Sequence, residues 1–180
     1  HSIADETLAQ FLTATGSGGT EYRGSDGTIV VADDAAGDPT AFSAFQRYGV
    51  EYYPAQQYWY QGESTPEIED VLMHAVRAAE TRKQASMAAV FYLKHRSILD
   101  TSALWELASE WHCVEEWADT LAYADQRNGD TERFLPWDEF TSLAREYGVS
   151  LRGYHHETRL QDGLKQLGEQ LDRTVDAYLL

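Results

Sequence analysis

The rhythm of apolar and polar positions changes once along the chain, near Gly62. Before that point the apolar runs are short and separated by glycine-rich turns. Ser2 and Asp5 start a short helix through Ile3, Leu8, Phe11 and Leu12, ended by Gly16-Ser17-Gly18-Gly19. Thr20-Glu21-Tyr22-Arg23, Gly24-Ser25-Asp26-Gly27 and Thr28-Ile29-Val30-Val31-Ala32 read as strand, turn and strand. The β-branched run makes the second of these the clearest strand in the chain. The stretch from Asp33 to Pro39 reads as a loop. Thr40 caps a short helix through Phe42, Phe45 and Tyr48, which closes at Gly49. Val50-Glu51-Tyr52-Tyr53 and Gln57-Tyr58-Trp59-Tyr60 then predict a second strand pair, interrupted at Pro54.

After Gly62 the period becomes helical. Ser64-Thr65-Pro66-Glu67 has the form of a helix start, with hydroxyl caps, a proline at the first turn and Glu three residues after Ser64. Ile68, Val71, Leu72, Ala75, Val76 and Ala79 follow at helical spacing. A second helix carries Ala88, Val90, Phe91 and Leu93. Asp100 caps a third, with Leu104, Leu107, Ala108 and Trp111 on one side, and a fourth holds Val114, Trp117, Leu121 and Ala122. After a polar loop from Gln126 to Arg133, Pro136 opens a fifth, with Trp137, Phe140, Leu143, Ala144 and Tyr147. The last uses Leu160, Leu164, Leu167 and Leu171, whose spacing makes a narrow coiled-coil-like seam. That seam packs back on the chain or pairs with its copy in a homodimer. Leu107-Ala108-Ser109-Glu110-Trp111 is echoed by Leu143-Ala144-Arg145-Glu146-Tyr147, each followed by a valine, at 114 and 149. The expected fold is α+β: a small antiparallel strand region in residues 1–62, then a bundle of about six helices in 63–180, packed as one unit.

Charge alters this picture. The 180 residues carry 30 acidic and 14 basic side chains, a formal net charge of −16. Only Lys83, Lys94 and Lys165 are lysines. Such a carboxylate excess repels itself at ordinary ionic strength, and molar salt relieves the repulsion. The composition resembles that of proteins from salt-in haloarchaea, the alternative being an acidic protein of an ordinary cytosol. It disfavours direct nucleic-acid binding by this segment, which needs basic phosphate contacts, and docking on an anionic membrane. No apolar run reaches membrane-spanning length and no charged-then-apolar leader opens the sequence. The single Cys113 excludes an intrachain disulfide. Together these point to a cytoplasmic protein.

The densest cluster of chemistry is aromatic. Tyr52, Tyr53, Tyr58, Trp59 and Tyr60 bracket Pro54-Ala55-Gln56-Gln57, more rings than two short strands need for a core. Tyrosine and tryptophan combine contact area with a polar tip, so these five are the candidate partner-binding residues. Leu143 to Ser150 has the outline of the first half of a helix-turn-helix, but Gly153, Tyr154 and Glu157 do not suit a recognition helix. The adjacent His155 and His156 would point about 100° apart on a helix, which is poor geometry for one metal ion. Asp26, Asp33 and Asp34 around the best strand are the only arrangement offering a Mg²⁺-dependent site of nucleotidyltransferase type, and the spacing of that family is missing. No catalytic residue, metal ligand or cofactor is assigned.

Ser64 to Val149 resembles the C-terminal part of abortive-infection-type antitoxin regulators. The resemblance rests on the Ser64-Thr65-Pro66-Glu67-Ile68-Glu69-Asp70-Val71-Leu72 helix start, the apolar Ala88-Ala89-Val90-Phe91-Tyr92-Leu93, and the helix-turn elements Leu104 to Trp111 and Leu143 to Val149. It implies a non-catalytic regulatory or interaction domain that binds a protein partner, a toxin or its own copy. Residues 1–62 lack the winged helix of such regulators, so the resemblance implies either the effector part of a longer protein or a stand-alone relative. The alternatives are a metal-dependent or nucleotidyltransferase-like enzyme at the three aspartates, and an acidic DNA mimic.

Overall fold

The computed structural model describes residues 19–126 and 132–151. The predicted N-terminal helix at Ser2, the His155-His156 pair and the Leu160–Leu171 seam lie outside the described residues. Four strands, β1 (Thr20–Arg23), β2 (Gly27–Val31), β3 (Asp38–Pro39) and β4 (Tyr58–Gly62), form one antiparallel sheet in the order β1-β2-β4-β3. A 3₁₀ helix spans Ala41–Tyr48. Five α-helices follow: α1 (Ile68–Ala78), α2 (Arg82–His95), α3 (Thr101–Glu110), α4 (Val114–Gln126) and α5 (Trp137–Glu146). The fold is α+β, a small antiparallel sheet in the first third followed by helices.

The β1–β2 hairpin forms as its sequence predicts, with Gly24 N–H donating to Gly27 O at 2.9 Å. The expected strand at Val50–Tyr53 does not form. β4 already has both edges occupied: Trp59 pairs with Val30 on one side and Pro39 on the other. At its start, Tyr58 O accepts from Thr40 N–H, while Tyr58 N–H donates to Ser43 Oγ. β4 therefore has no free edge for 50–53, which instead folds into a tight turn with Tyr52 N–H on Val50 O at 2.8 Å. Gly49, at φ 81°, ends the 3₁₀ helix in the left-handed conformation glycine adopts without steric cost.

One core joins sheet and helices. Ile29, Val31, Tyr58 and Tyr60 cover α1, whose residues Val71 to Val76 are all buried. Phe45 of the 3₁₀ helix stacks on Phe91 of α2 at 4.3 Å. Buried area of this kind is the main stabilising term. On the opposite flank Tyr123, Phe134, Trp137 and Phe140 form an aromatic cluster that ties α4 to α5.

Several helix boundaries differ from the sequence expectation. The α1 cap is Glu67, whose N–H donates to Asp70 Oδ2 at 2.8 Å; Ser64 and Thr65 remain exposed outside the helix. Pro66 is buried, which places the helix start beyond it. α2 begins with reciprocal Thr81–Gln84 bonds, and Asp100 caps α3 as its sequence predicts. In α4 the inward side is Trp117, Thr120, Tyr123 and Ala124. Leu121 and Ala122 are half-buried, and Val114 is 45% exposed. Thr120 is tolerated in the core because its hydroxyl donates to Glu116 O one turn back.

The internal echo is a repeated helix ending. Cys113 N–H donates to Ala108 O at 2.9 Å, and Val149 N–H donates to Ala144 O at 2.8 Å. The residue before each donor has positive φ, 56° at His112 and 80° at Gly148. The equivalent buried positions are therefore Cys113 and Val149, and Val114 is not the counterpart of Val149. Lys94 fastens two such endings together, its ammonium donating to Gly49 O and to Tyr147 O, each at 2.9 Å.

Candidate functional site

A cleft of about 370 Å³ opens where the end of α1 meets the start of α2, with α4 and residues 132–133 as its far wall. Arg77, Arg82 and Arg133 line it, together with Glu80, Glu116, Glu132 and His112. These residues are far apart in sequence and come together because α1, α2 and α4 pack side by side.

Each guanidinium is held differently. The Arg77 guanidinium lies over the Tyr22 ring, 4.8 Å from its centre. The Tyr22 hydroxyl donates to Glu80 at 2.5 Å, and burial together with this bond pushes its phenol well above the usual range. Arg82 Nε donates to Glu132 O at 2.9 Å. Arg133 pairs with Asp119 at 3.4 Å. Among the described residues Arg77 forms no ion pair. An arginine carries five N–H donors in a fixed fork, so Arg82 and Arg133 keep most of theirs toward the cleft and solvent. Such forks match carboxylates and carbonyls in two-point contacts.

The five aromatic residues chosen from sequence do not make one face. Tyr58 and Tyr60 are 4% and 8% exposed and belong to the core. The Tyr58 hydroxyl accepts from Gln84 Nε2 at 3.0 Å, and burial pushes the phenol up to about 12. Trp59 is half-buried, its indole N–H spent on Ala32 O. Tyr52 is half-buried against Phe42 and Tyr147. Tyr53 alone stands free, 70% exposed. The alternation of β4 explains the pattern: Tyr58 and Tyr60 point to the helices and Trp59 to the other side.

Asp26 and the Asp33-Asp34 pair lie beyond opposite ends of β2, a strand roughly 17 Å long at about 3.3 Å per residue. They cannot share a metal ion. Among the described residues no group of three His, Cys, Asp or Glu is placed to hold one. Cys113 is buried, and desolvation pushes its thiol up to about 12. Leu143 and Ala144 of the helix-turn outline are buried at the end of α5, with Gly148 at the turn.

Sequence reasoning missed Arg77, Arg82 and Arg133. The available signal was the strong preference for arginine over lysine in a chain with few cations, but nothing local marked which arginines converge. Among the described residues no helix is long and apolar enough to cross a membrane. Compared with known proteins, the chain matches no protein-family model, no curated protein and no solved structure.

Proposed function

We propose that this chain is a regulatory and interaction domain of the antitoxin-like type, working in a salt-rich cytoplasm by binding a protein partner. The observation that carries the reading is the cleft at Arg77, Arg82 and Arg133. A chain with a formal charge of −16 and 14 basic side chains gathers three guanidiniums in one concavity. They alternate there with Glu80, Glu116 and Glu132. A mosaic of both signs suits a protein surface of matching charge pattern and fixes its register. Arginine keeps such contacts useful in concentrated salt because its two-point bonds are geometric as well as electrostatic.

The test is association of the full-length protein with the product of the neighbouring gene, measured by sedimentation in molar KCl. Arg77→Glu/Arg133→Glu should weaken the complex by at least about tenfold, or about 1.4 kcal/mol. The reading fails if the two proteins do not associate, or if charge reversal leaves the affinity unchanged.

A further inference from the structure

A second cleft, of about 180 Å³, lies on the sheet side of α1. Its floor is His74 and Tyr60; Asp26, Asp70, Glu110 and Ser64 stand around them. His74 is 1% exposed, stacked on Tyr60 at 5.0 Å and set edge-on to Trp111 at 4.7 Å. Its Nδ1 lies 2.6 Å from Thr40 Oγ1. Among the described residues that contact is the only partner of a fully buried hydroxyl. A buried hydroxyl without an acceptor is costly, so Thr40 donates to Nδ1. The imidazole proton then sits on Nε2, which has no hydrogen-bond partner among the described residues. The Tyr60 phenol likewise has no hydrogen-bond partner among the described residues. Its oxygen rests over Gly27 and Gly62, where an added Cβ would come within 2.4 Å of it.

Two donors on largely buried side chains thus line one small space with three carboxylates. Asp70, Asp26 and Glu110 lie close enough to add to the burial that raises the Tyr60 phenol. This inventory discriminates among ligands. An anion is opposed by the carboxylates. An ammonium satisfies the carboxylates but offers nothing to accept from His74 and Tyr60. Hydroxyl groups do both, and two adjacent hydroxyls can share one carboxylate. The volume equals about six waters at about 30 Å³ each, which suits a molecule between a triol and a hexose.

We propose that this cleft binds a small neutral polyol, with His74 Nε2 and the Tyr60 phenol donating to its hydroxyls and Asp26, Asp70 and Glu110 accepting from them. The site is separate from the arginine cleft and does not depend on the partner reading. Because the ligand is uncharged, its binding is insensitive to salt.

Calorimetric titration of the full chain with glycerol, myo-inositol and D-glucose tests this, with ethanolamine and acetate as charged controls. At least one polyol should bind saturably with millimolar affinity, changing by less than about twofold between about 1 and about 3 M KCl. Asp26→Asn/Glu110→Gln, at two exposed positions that leave the core intact, should weaken it by about fivefold or more. The proposal is overturned if no polyol saturates by about 100 mM. It is equally overturned if a charged control binds more tightly, or if the double variant binds as well as the parent.

Discussion

His74 makes the stability of this fold depend on pH in a calculable way. It is 1% exposed, and burial pushes its imidazole down to about 3 from the ordinary 6.5. The unfolded chain therefore takes up a proton near 6.5 that the folded chain refuses until about 3. Stability from this group is fully present above about 6.5 and is lost progressively as the pH falls toward 3. Each unit of difference is worth about 1.4 kcal/mol. Between about pH 7 and about pH 5 the loss works out at about 2 kcal/mol. The comparison is urea unfolding in about 3 M KCl of the parent and of Thr40→Val/His74→Phe. Replacing both residues avoids leaving the Thr40 hydroxyl unpaired and keeps an aromatic ring between Tyr60 and Trp111. Asp70 and Glu69, whose carboxyls burial raises, are common to both proteins and cancel in the difference. The parent should lose about 2 kcal/mol more than the variant between the two pH values. Equal losses, within about 0.5 kcal/mol, would refute the neutral buried imidazole and the tautomer built on it.

Phe91→Ala removes a fully buried ring stacked on Phe45 and should cost about 3–5 kcal/mol by chemical denaturation. Gly148→Ala places a side chain at φ 80° and should cost about 1–2 kcal/mol, whereas His112→Gly relieves the matching strain and should stabilise by up to about 1 kcal/mol; an opposite sign at His112 would contradict the shared geometry. Lys94→Met deletes the ammonium that joins Gly49 O to Tyr147 O and should cost about 1–2 kcal/mol, less at an exposed site in high salt. The melting temperature should rise steeply with KCl into the molar range, since the formal charge is −16; a flat profile would remove the case for adaptation to salt.

Elements that rest on neighbouring residues were legible in advance. The β1–β2 hairpin follows from Gly24 to Gly27 and the β-branched run after it. The Asp100 cap, the Pro136 helix start and the Gly49 ending are each decided within one turn of chain. The strand expected at Val50–Tyr53 failed for a reason no local pattern contains, because β3 and β2 had taken both edges of β4. The α1 cap is Glu67 and not Ser64, with Pro66 buried ahead of the helix. In α4 the choice between Leu121 and Ala124 as the inward residue depends on what stands opposite, which is α1, α2 and α3 together with the aromatic rings of α5.

The same division holds for the sites. By itself the sequence determined the class of fold, the acidic character and the wealth of arginine over lysine, since propensity, period and net charge are sums over local terms. It also singled out the aromatic residues of β4, but alternation across a sheet, together with the helix that covers one side, decided that Tyr58 and Tyr60 are core while Trp59 faces the other way. The arginine cleft and the His74 cleft exist only in three dimensions. Arg77 and Arg133 are 56 positions apart, and Asp26 and Glu110 are 84. Each pair meets because burying the apolar faces of α1 leaves its neighbours no other arrangement, and that packing energy is non-local by nature.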